Sequence, residues 1–391
     1  MQQKINMGID VGYGMLKIAI LDANNKIKAK SWTSVVGSPN KIDFKPNVEA
    51  LGKFKVSFND KSFYVSTLAA QSKTKYNLLY KDWIRKDVFK ALFLTGLGNG
   101  VASFFEDNNK KEYDLKLDLV TGLPVSYFKD REILKDLYSG IQEFTLGDDL
   151  YGNKKTFRLD INLTVVPQPY GTFYNVAFDQ AGELRDDSLA TDAVAIIDIG
   201  NYTTDLTVLR EGDYIQHMSN STQTGMAKVG KSVAEAISNK YDFDLESRGV
   251  EVLSSVLDSG MVRIFGKSVD VSDIVAVSKE EVSSKIISFV KENLGNGSDL
   301  AAIIVSGGGA SLFFSIFEES FGHASLVPGD PSLANVVGYL KMSNDFFKEA
   351  SEGKVVSQPK EIERSTSSIS DKQYIQSVED SASKSVIKIE P

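Results

Sequence analysis

A chain of 391 residues, 42% hydrophobic and 25% charged, has ordinary globular composition and enough apolar material for more than one core. Its formal net charge of -8 argues against a surface that itself grips a polyanionic duplex, because phosphate neutralisation needs concentrated basic charge. With no Cys and only two His, His217 and His323, thiol catalysis and disulfides are excluded and the usual zinc sites are disfavoured.

From Ile5 to Trp32 short apolar runs are broken at Asp10-Val11-Gly12-Tyr13-Gly14 and at Asp22-Ala23-Asn24-Asn25, which predicts an antiparallel meander of three strands. Dinucleotide and P-loop glycine turns open a helix, whereas here a strand, Leu16 to Ile20, follows the glycines. Ser34 to Asn77 is polar and mixed, with strand-like pieces at Phe54 to Phe58 and Phe63 to Val65, and reads as an insertion; Trp83 to Leu94 reads as helix. Leu115 to Val120 is a strand ending in Thr121-Gly122-Leu123-Pro124, followed by a helix from about Asp130 to Tyr138. Two further strands, around Phe157 to Arg158 and Asn162 to Val166, end at Pro167-Gln168-Pro169, a loop, and helical spacing resumes from Tyr170 to Phe178.

The second half restarts with strand Val194 to Ile199, a turn at Asp198-Ile199-Gly200, and strands Leu206 to Leu209 and Tyr214 to His217. A helix from about Met226 to Lys240, an amphipathic helix from Glu280 to Leu294 and a buried strand from Ala301 to Val305 follow. That strand runs into Ser306-Gly307-Gly308-Gly309-Ala310 and a helix from Leu312 to Glu319. Both halves begin with a meander and proceed to helix–strand units, so the repeat is at the level of a whole lobe. No stretch reads as long and apolar enough to span a bilayer, and Met1-Gln2-Gln3-Lys4 enters a strand without an apolar signal core, so a cytoplasmic protein with no membrane contact is expected. Residues 351–391, rich in Ser, Lys, Glu and Gln, read as a disordered tail, because they cannot bury enough apolar area to offset ordering entropy.

The repeated strand, Asp-x-Gly, strand pattern carries the chemistry. Glycine lets backbone N–H groups approach phosphate oxygens, and a carboxylate beside those phosphates implies a metal ion. Each residue also has a bland reading: Asp10 and Asp198 as turn acceptors, Lys17 as an outward strand position, Gly225 and the glycines at 307–309 as simple turns.

In motif order over about residues 5–345 the chain resembles the actin, sugar-kinase and heat-shock-chaperone ATPase superfamily, and within it the ParM/StbA branch of actin-like proteins. Asp10-Val11-Gly12-Tyr13-Gly14-Met15-Leu16-Lys17 resembles the first phosphate loop and Asp198-Ile199-Gly200-Asn201-Tyr202-Thr203-Thr204-Asp205 the second. Thr121-Gly122-Leu123-Pro124-Val125 resembles a segment common in ParM-like proteins, Ser306 to Ala310 the adenosine motif, and Pro331 to Gly338 the closing helix with its Ala334-Asn335. One departure is that Asn201 and Tyr202 stand where many members have glycines.

The resemblance implies an α/β actin-like ATPase fold of two ribonuclease-H-like lobes, each a mixed β-sheet with flanking helices, around a nucleotide cleft. The first lobe would span 1–175, with an insertion at about 34–110, and the second 176–350, with an insertion at about 231–300. It implies ATP, with GTP as the alternative nucleotide, and Mg²⁺ held through water by Asp10 and Asp198. Gly12, Tyr13, Gly14, Lys17, Gly200, Asn201, Thr203 and Thr204 would face the phosphates, and Gly225, Lys228, Gly307, Gly308 and Gly309 the rest of the nucleotide. Gln168 would orient the attacking water, as an amide suits better than a general base. The partners implied are further copies of the chain, in a filament, and a DNA-binding adaptor for plasmid or DNA segregation, without direct contact to nucleic acid. A small-molecule kinase and a nucleotide-binding scaffold with slow hydrolysis are the alternatives.

Overall fold

The alternation of apolar residues along two strands sets out the architecture. In the first, Lys4–Val11, the side chains of Ile5, Met7, Ile9 and Val11 enter one core, while Gly8 and Asp10 face the other way. In the second, Ala193–Ile199, Ala193, Ala195, Ile197 and Ile199 enter a separate core, while Val194 and Ile196 face a third cluster with Tyr170 and Phe173. The computed structural model describes residues 3–22, 24–39, 53–70, 72–76, 82–105, 107, 109–147, 153–179, 183–245 and 250–352. The expected tail at 351–391 lies outside these residues except for a final helical pair, and so does part of the expected insertion.

Among the described residues, one sheet has ten strands: β1 (Lys4–Val11), β2 (Met15–Leu21), β3 (Ile27–Thr33), β4 (Val36–Gly37), β5 (Lys53–Phe58), β6 (Lys61–Ser66), β7 (Lys75–Tyr76), β8 (Glu112–Leu123), β9 (Gly140–Leu146) and β10 (Lys155–Pro167). Their order is β3-β2-β1-β8-β10-β9-β5-β6-β4-β7, with helices α1 (Thr67–Ala70), α2 (Asp87–Phe105) and α3 (Arg131–Tyr138) in the connections. Helices α4 (Gln168–Ala177) and α5 (Asp187–Thr191) lead to the second half. Its strands are β11 (Ala193–Ile199), β12 (Thr204–Arg210), β13 (Asp213–Tyr214), β14 (Asn220–Thr222), the hairpin β15 (Met261–Ile264) and β16 (Lys267–Asp270), β17 (Ala302–Ser306) and β18 (Ala324–Leu326). The remaining helices are α6 (Met226–Tyr241), α7 (Val250–Ser259), α8 (Ser272–Leu294), α9 (Ala310–Ser320) and α10 (Ala334–Glu352).

The second sheet runs β13-β12-β11-β17-β18, with β14 also on β12. In both sheets an antiparallel hairpin partner lies on one side of the first strand and a parallel crossover strand on the other: β2 and β8 flank β1, and β12 and β17 flank β11. The repeat expected from the meanders is therefore present at the level of strand order. This is a mixed α/β fold built on two main sheets, as the sequence leads one to expect.

Local readings were refined in several places. The two short strands expected at 157–158 and 162–166 are one strand, β10, on which Phe157, Leu159, Ile161 and Leu163 are buried in alternation. The stretch Tyr214 to His217 leaves the sheet after Tyr214 for a 3-10 turn at Gln216–Met218. The strand pieces of the expected insertion extend the first sheet, since β5 pairs with β9 at Val56↔Leu146 and Ser57↔Thr145. Helix α2 is apolar on all sides and, contrary to the expectation that no such stretch exists, is long and apolar enough to cross a membrane, with a mean hydropathy of 1.4. Eleven of its residues are buried, and seven of these, Phe89, Ala91, Leu92, Phe93, Leu94, Leu97 and Val101, belong to the first core, which accounts for its composition.

Between the sheets lies a crossed helix pair. Although α10 follows the second sheet in the chain, Val336, Tyr339 and Leu340 pack with Val120 and Val166 of the first. A Cβ at Gly8 would stand 2.9 Å from both Leu340 N and Tyr339 Cβ, so that face of β1 is bare because α10 lies on it. Helices α4 and α10 touch backbone to backbone where Gly171 meets Asn335 and Gly338 meets Gly171. The buried ammonium of Lys341 donates to the carbonyls of Asn175 at 2.6 Å and Phe178 at 2.7 Å, closing the last turn of α4 with a cation.

Candidate functional site

The two glycine turns are built alike. Gly12 N donates to Met15 O at 3.0 Å, and Gly200 N donates to Thr203 O at 2.8 Å. The strand registers then pair Asp10 with Lys17 and Asp198 with Asp205. The duplication thus sets a cation opposite the first aspartate and a second carboxylate opposite the other. The two turns approach each other, because a Cβ at Gly14 would lie 3.4 Å from Asn201 Cβ.

The second turn is tied to the start of α6, where Met226 N donates to Gly200 O at 3.1 Å and Ala227 N to Asn201 O at 2.8 Å. A Cβ at Gly225 would stand 2.7 Å from both of those carbonyl oxygens, so glycine is needed there for backbone contact with the turn. Gly307, at φ +91°, would carry its Cβ into the Asp198 carboxylate and the Ile199 carbonyl. Gly307 N donates to Pro331 O at 3.0 Å and Gly309 N to Ile199 O at 2.9 Å, while Gly308 is exposed. The glycines expected at the nucleotide are thus gathered around the second turn.

Four expected side chains are placed differently. Tyr13 packs on Trp83, with ring centroids 5.8 Å apart, so only its backbone belongs to the turn. Thr204 is buried and donates to Thr224 O at 2.7 Å, and Thr203 donates to Asp205 Oδ2 at 2.9 Å. Lys228 is exposed and donates to Thr224 Oγ1 at 3.3 Å. Tyr202, 47% exposed, occupies the turn position equivalent to Gly14.

Asp10 is buried, with Lys17 Nζ 3.3 Å from its Oδ2 and Gln168 Nε2 donating to its Oδ1 at 3.2 Å. Gln168 is not in a loop between two prolines. It is the first residue of α4, with Pro167 extended before it and Pro169 in the first turn, where a missing N–H costs nothing. Burial pulls the Lys17 ammonium pKa down, but Asp10, Asp198 and Asp330 outweigh it, and the net shift is upward. Replacing Lys17 by Met is expected to destabilise the fold by about 3 kcal/mol in urea unfolding, because it leaves the Asp10 carboxylate buried without its cation.

Asp198 is half-buried and accepts from Asn335 Nδ2 at 2.9 Å. Desolvation pushes its pKa up to about 6; Asp205 and Asp10 add to the rise, and Lys17 and the Asn335 hydrogen bond oppose it. Asp205 is raised as well, chiefly by burial, against hydrogen bonds from Ser221 and Thr203. Asn335 continues to α4: its Oδ1 accepts from Thr172 N at 3.1 Å and Thr172 Oγ1 at 2.7 Å, and Ser306 Oγ lies 3.3 Å from that hydroxyl. Tyr339 donates to Gln168 O at 3.3 Å, and burial first, then Asp10 and Asp198, holds its phenol well above the usual range.

Thr172 and Asn335 were not among the expected contacts of the aspartates. The segment holding Asn335 was legible only as part of a helix, because residues 163 apart in sequence meet only in the folded chain. Among the described residues no group of three or more His, Asp or Glu side chains converges as a metal ligand set. Two aspartates on facing strand ends still fit Mg²⁺, which keeps most of its waters and takes one or two carboxylates together with phosphate oxygens.

Residues 8–171 match the family model for the N-terminal domain of actin-like proteins, and residues 196–319 match that for the C-terminal domain of archaeal MreB-like actin homologues. No curated protein matches the chain. Among solved structures, a pCBH ParM non-polymerisable quadruple mutant is 22% identical, with a TM-score of 0.69 over 88% of this chain and 100% of that one. A ParM from a 15-stranded filament of Clostridium botulinum is 21% identical, with a TM-score of 0.67 over 88% and 100%. Bacillus thuringiensis ParM with ATP is 16% identical, with a TM-score of 0.66 over 88% and 99%. With an actin-like N-terminal domain matched over residues 8–171 and an archaeal MreB-like actin-homologue C-terminal domain over 196–319, the two halves together are those of an actin-like protein, on a fold shared with ParM and the archaeal actin homologues.

Proposed function

We propose that the chain is an ATPase that assembles into filaments with Mg²⁺-ATP bound between the two glycine turns and comes apart after hydrolysis. The observation that supports this most is that equivalent strand ends of the two sheets present Asp10 and Asp198 to one helix pair, with Lys17 3.3 Å from Asp10 and attracted electrostatically by both carboxylates. Backbone N–H groups of the turns at Gly12–Gly14 and Gly200–Asn201 would bind the phosphates, and Lys17 would supply the positive charge. Mg²⁺ would be held through water by the two aspartates and would neutralise charge on the phosphates. Gln168 would orient the attacking water, since phosphoryl transfer asks mainly for positioning. The actin-like lobes would be 1–175 and 176–350. ATP is preferred over GTP as the nucleotide on the strength of the ATP-bound ParM.

Self-association is supported by the ParM filament, and movement of DNA would require an adaptor, since the chain is acidic. The reading is tested by phosphate release from ATP with Mg²⁺, with a chelator in its place, and with sugars added as hydroxyl acceptors. Turnover that needs Mg²⁺ and is indifferent to the acceptor is expected. Turnover appearing only with an acceptor would make the protein a small-molecule kinase, and tight binding with negligible release a scaffold.

A further inference from the structure

The buried side chain of Asn335 stands at the junction of three elements: β11, α4 and its own helix α10. Its orientation is fixed by its partners. A backbone N–H can only donate, so the oxygen of the amide must face Thr172 N, and the NH₂ group is thereby turned to Asp198. Thr172 lies one turn along α4 from Gln168, which reaches Asp10. One short helix therefore holds both carboxylates, the first through its own glutamine and the second through an amide borrowed from α10. The crossing of the two helices at Gly171 and Gly338 leaves no room for side chains between them, so the three elements are held in close register.

We propose that Asn335 is a positioning residue for the metal–nucleotide site, holding the Asp198 carboxylate aimed while fastening it to Thr172 of α4. The assignment rests on the reading of Asp10 and Asp198 as the residues that hold hydrated Mg²⁺. A donor to a metal-holding carboxylate tunes metal affinity through that carboxylate, and its loss typically costs ten- to a hundredfold. The effect should be specific to the metal-bound state.

The test is equilibrium binding of a fluorescent ATP analogue, titrated with Mg²⁺ and repeated in chelator. In Asn335→Ala the Mg²⁺ midpoint should rise roughly tenfold or more, while binding in chelator stays within about twofold of wild type. Thr172→Val should produce a smaller rise and Thr172→Ser none, and the double variant should be no weaker than Asn335→Ala, as expected of residues acting in series. If Asn335→Ala does not fold, the Val and Ser variants at Thr172 carry the comparison. An unchanged midpoint, or equal loss with and without Mg²⁺, would overturn the assignment while leaving the functional reading intact. Wild-type protein without Mg²⁺-dependent binding would overturn both.

Discussion

Replacement of Asp198 by Asn is expected to reduce Mg²⁺-dependent phosphate release by roughly a hundredfold or more, because it removes one of two charges that would face the metal. The same substitution should stabilise the protein without nucleotide. Burial raises the pKa of this carboxyl from 3.8 to about 6, so the folded state binds the proton more tightly than the unfolded one. Its contribution to stability is fully present below about pH 4 and is lost as the pH rises to about 6. The loss is on the order of 2–3 kcal/mol, and Asn, which is neutral throughout and still accepts from Asn335, escapes it. Urea unfolding at pH 4.5 and 7.5 should show the variant gaining on wild type at both, and by more at the higher pH. A variant that is less stable at pH 7.5 would contradict the electrostatic account. A charge kept here for the proposed activity would thus be kept at a cost to stability.

Replacement of Gly338 by Val should cost about 3 kcal/mol or more, or prevent accumulation of folded protein. A side chain there would run into the carbonyl of Gly171, and backbone on a packed helix cannot rotate aside as a side-chain tip can. Parting the helices would open the cluster of Val120, Val166, Val336, Tyr339 and Leu340 and pull Asn335 from Thr172. Gly322→Ala, where an added Cβ meets nothing within 4 Å, is the control and should stay within about 0.5 kcal/mol of wild type. Comparable losses in both variants would show that the packing at the crossing has no special role.

The features readable in advance were local. Alternating apolar runs separated by Asp-x-Gly exposed both meanders, and their recurrence exposed the duplication, because a strand's side-chain period is written into consecutive residues. The glycines of both turns and of 307–309 were legible for the same reason, although their close neighbours prove to be groups of the protein itself: backbone at Gly12 and Gly200, and the side chains of Asn201, Ile199 and Met226 at Gly14 and Gly309. Gln168 was misread as a loop residue because flanking prolines suggest a break, whereas proline in a first helical turn is a start signal. Strand β10 looked like two pieces because its alternation passes through the polar Arg158, Asp160 and Asn162 on its exposed face. The polar link from Asp198 through Asn335 to Thr172 was out of reach, since no periodicity records which distant side chains share a hydrogen bond.

The central claim, that nucleotide turnover in this site drives assembly, is tested most directly by right-angle light scattering with phosphate release followed in the same sample. Scattering should rise on addition of Mg²⁺ and ATP, stay flat with ADP or no nucleotide, and fall as phosphate accumulates. Scattering that stays flat with ATP at high protein concentration, or that rises equally with ADP, would contradict the account.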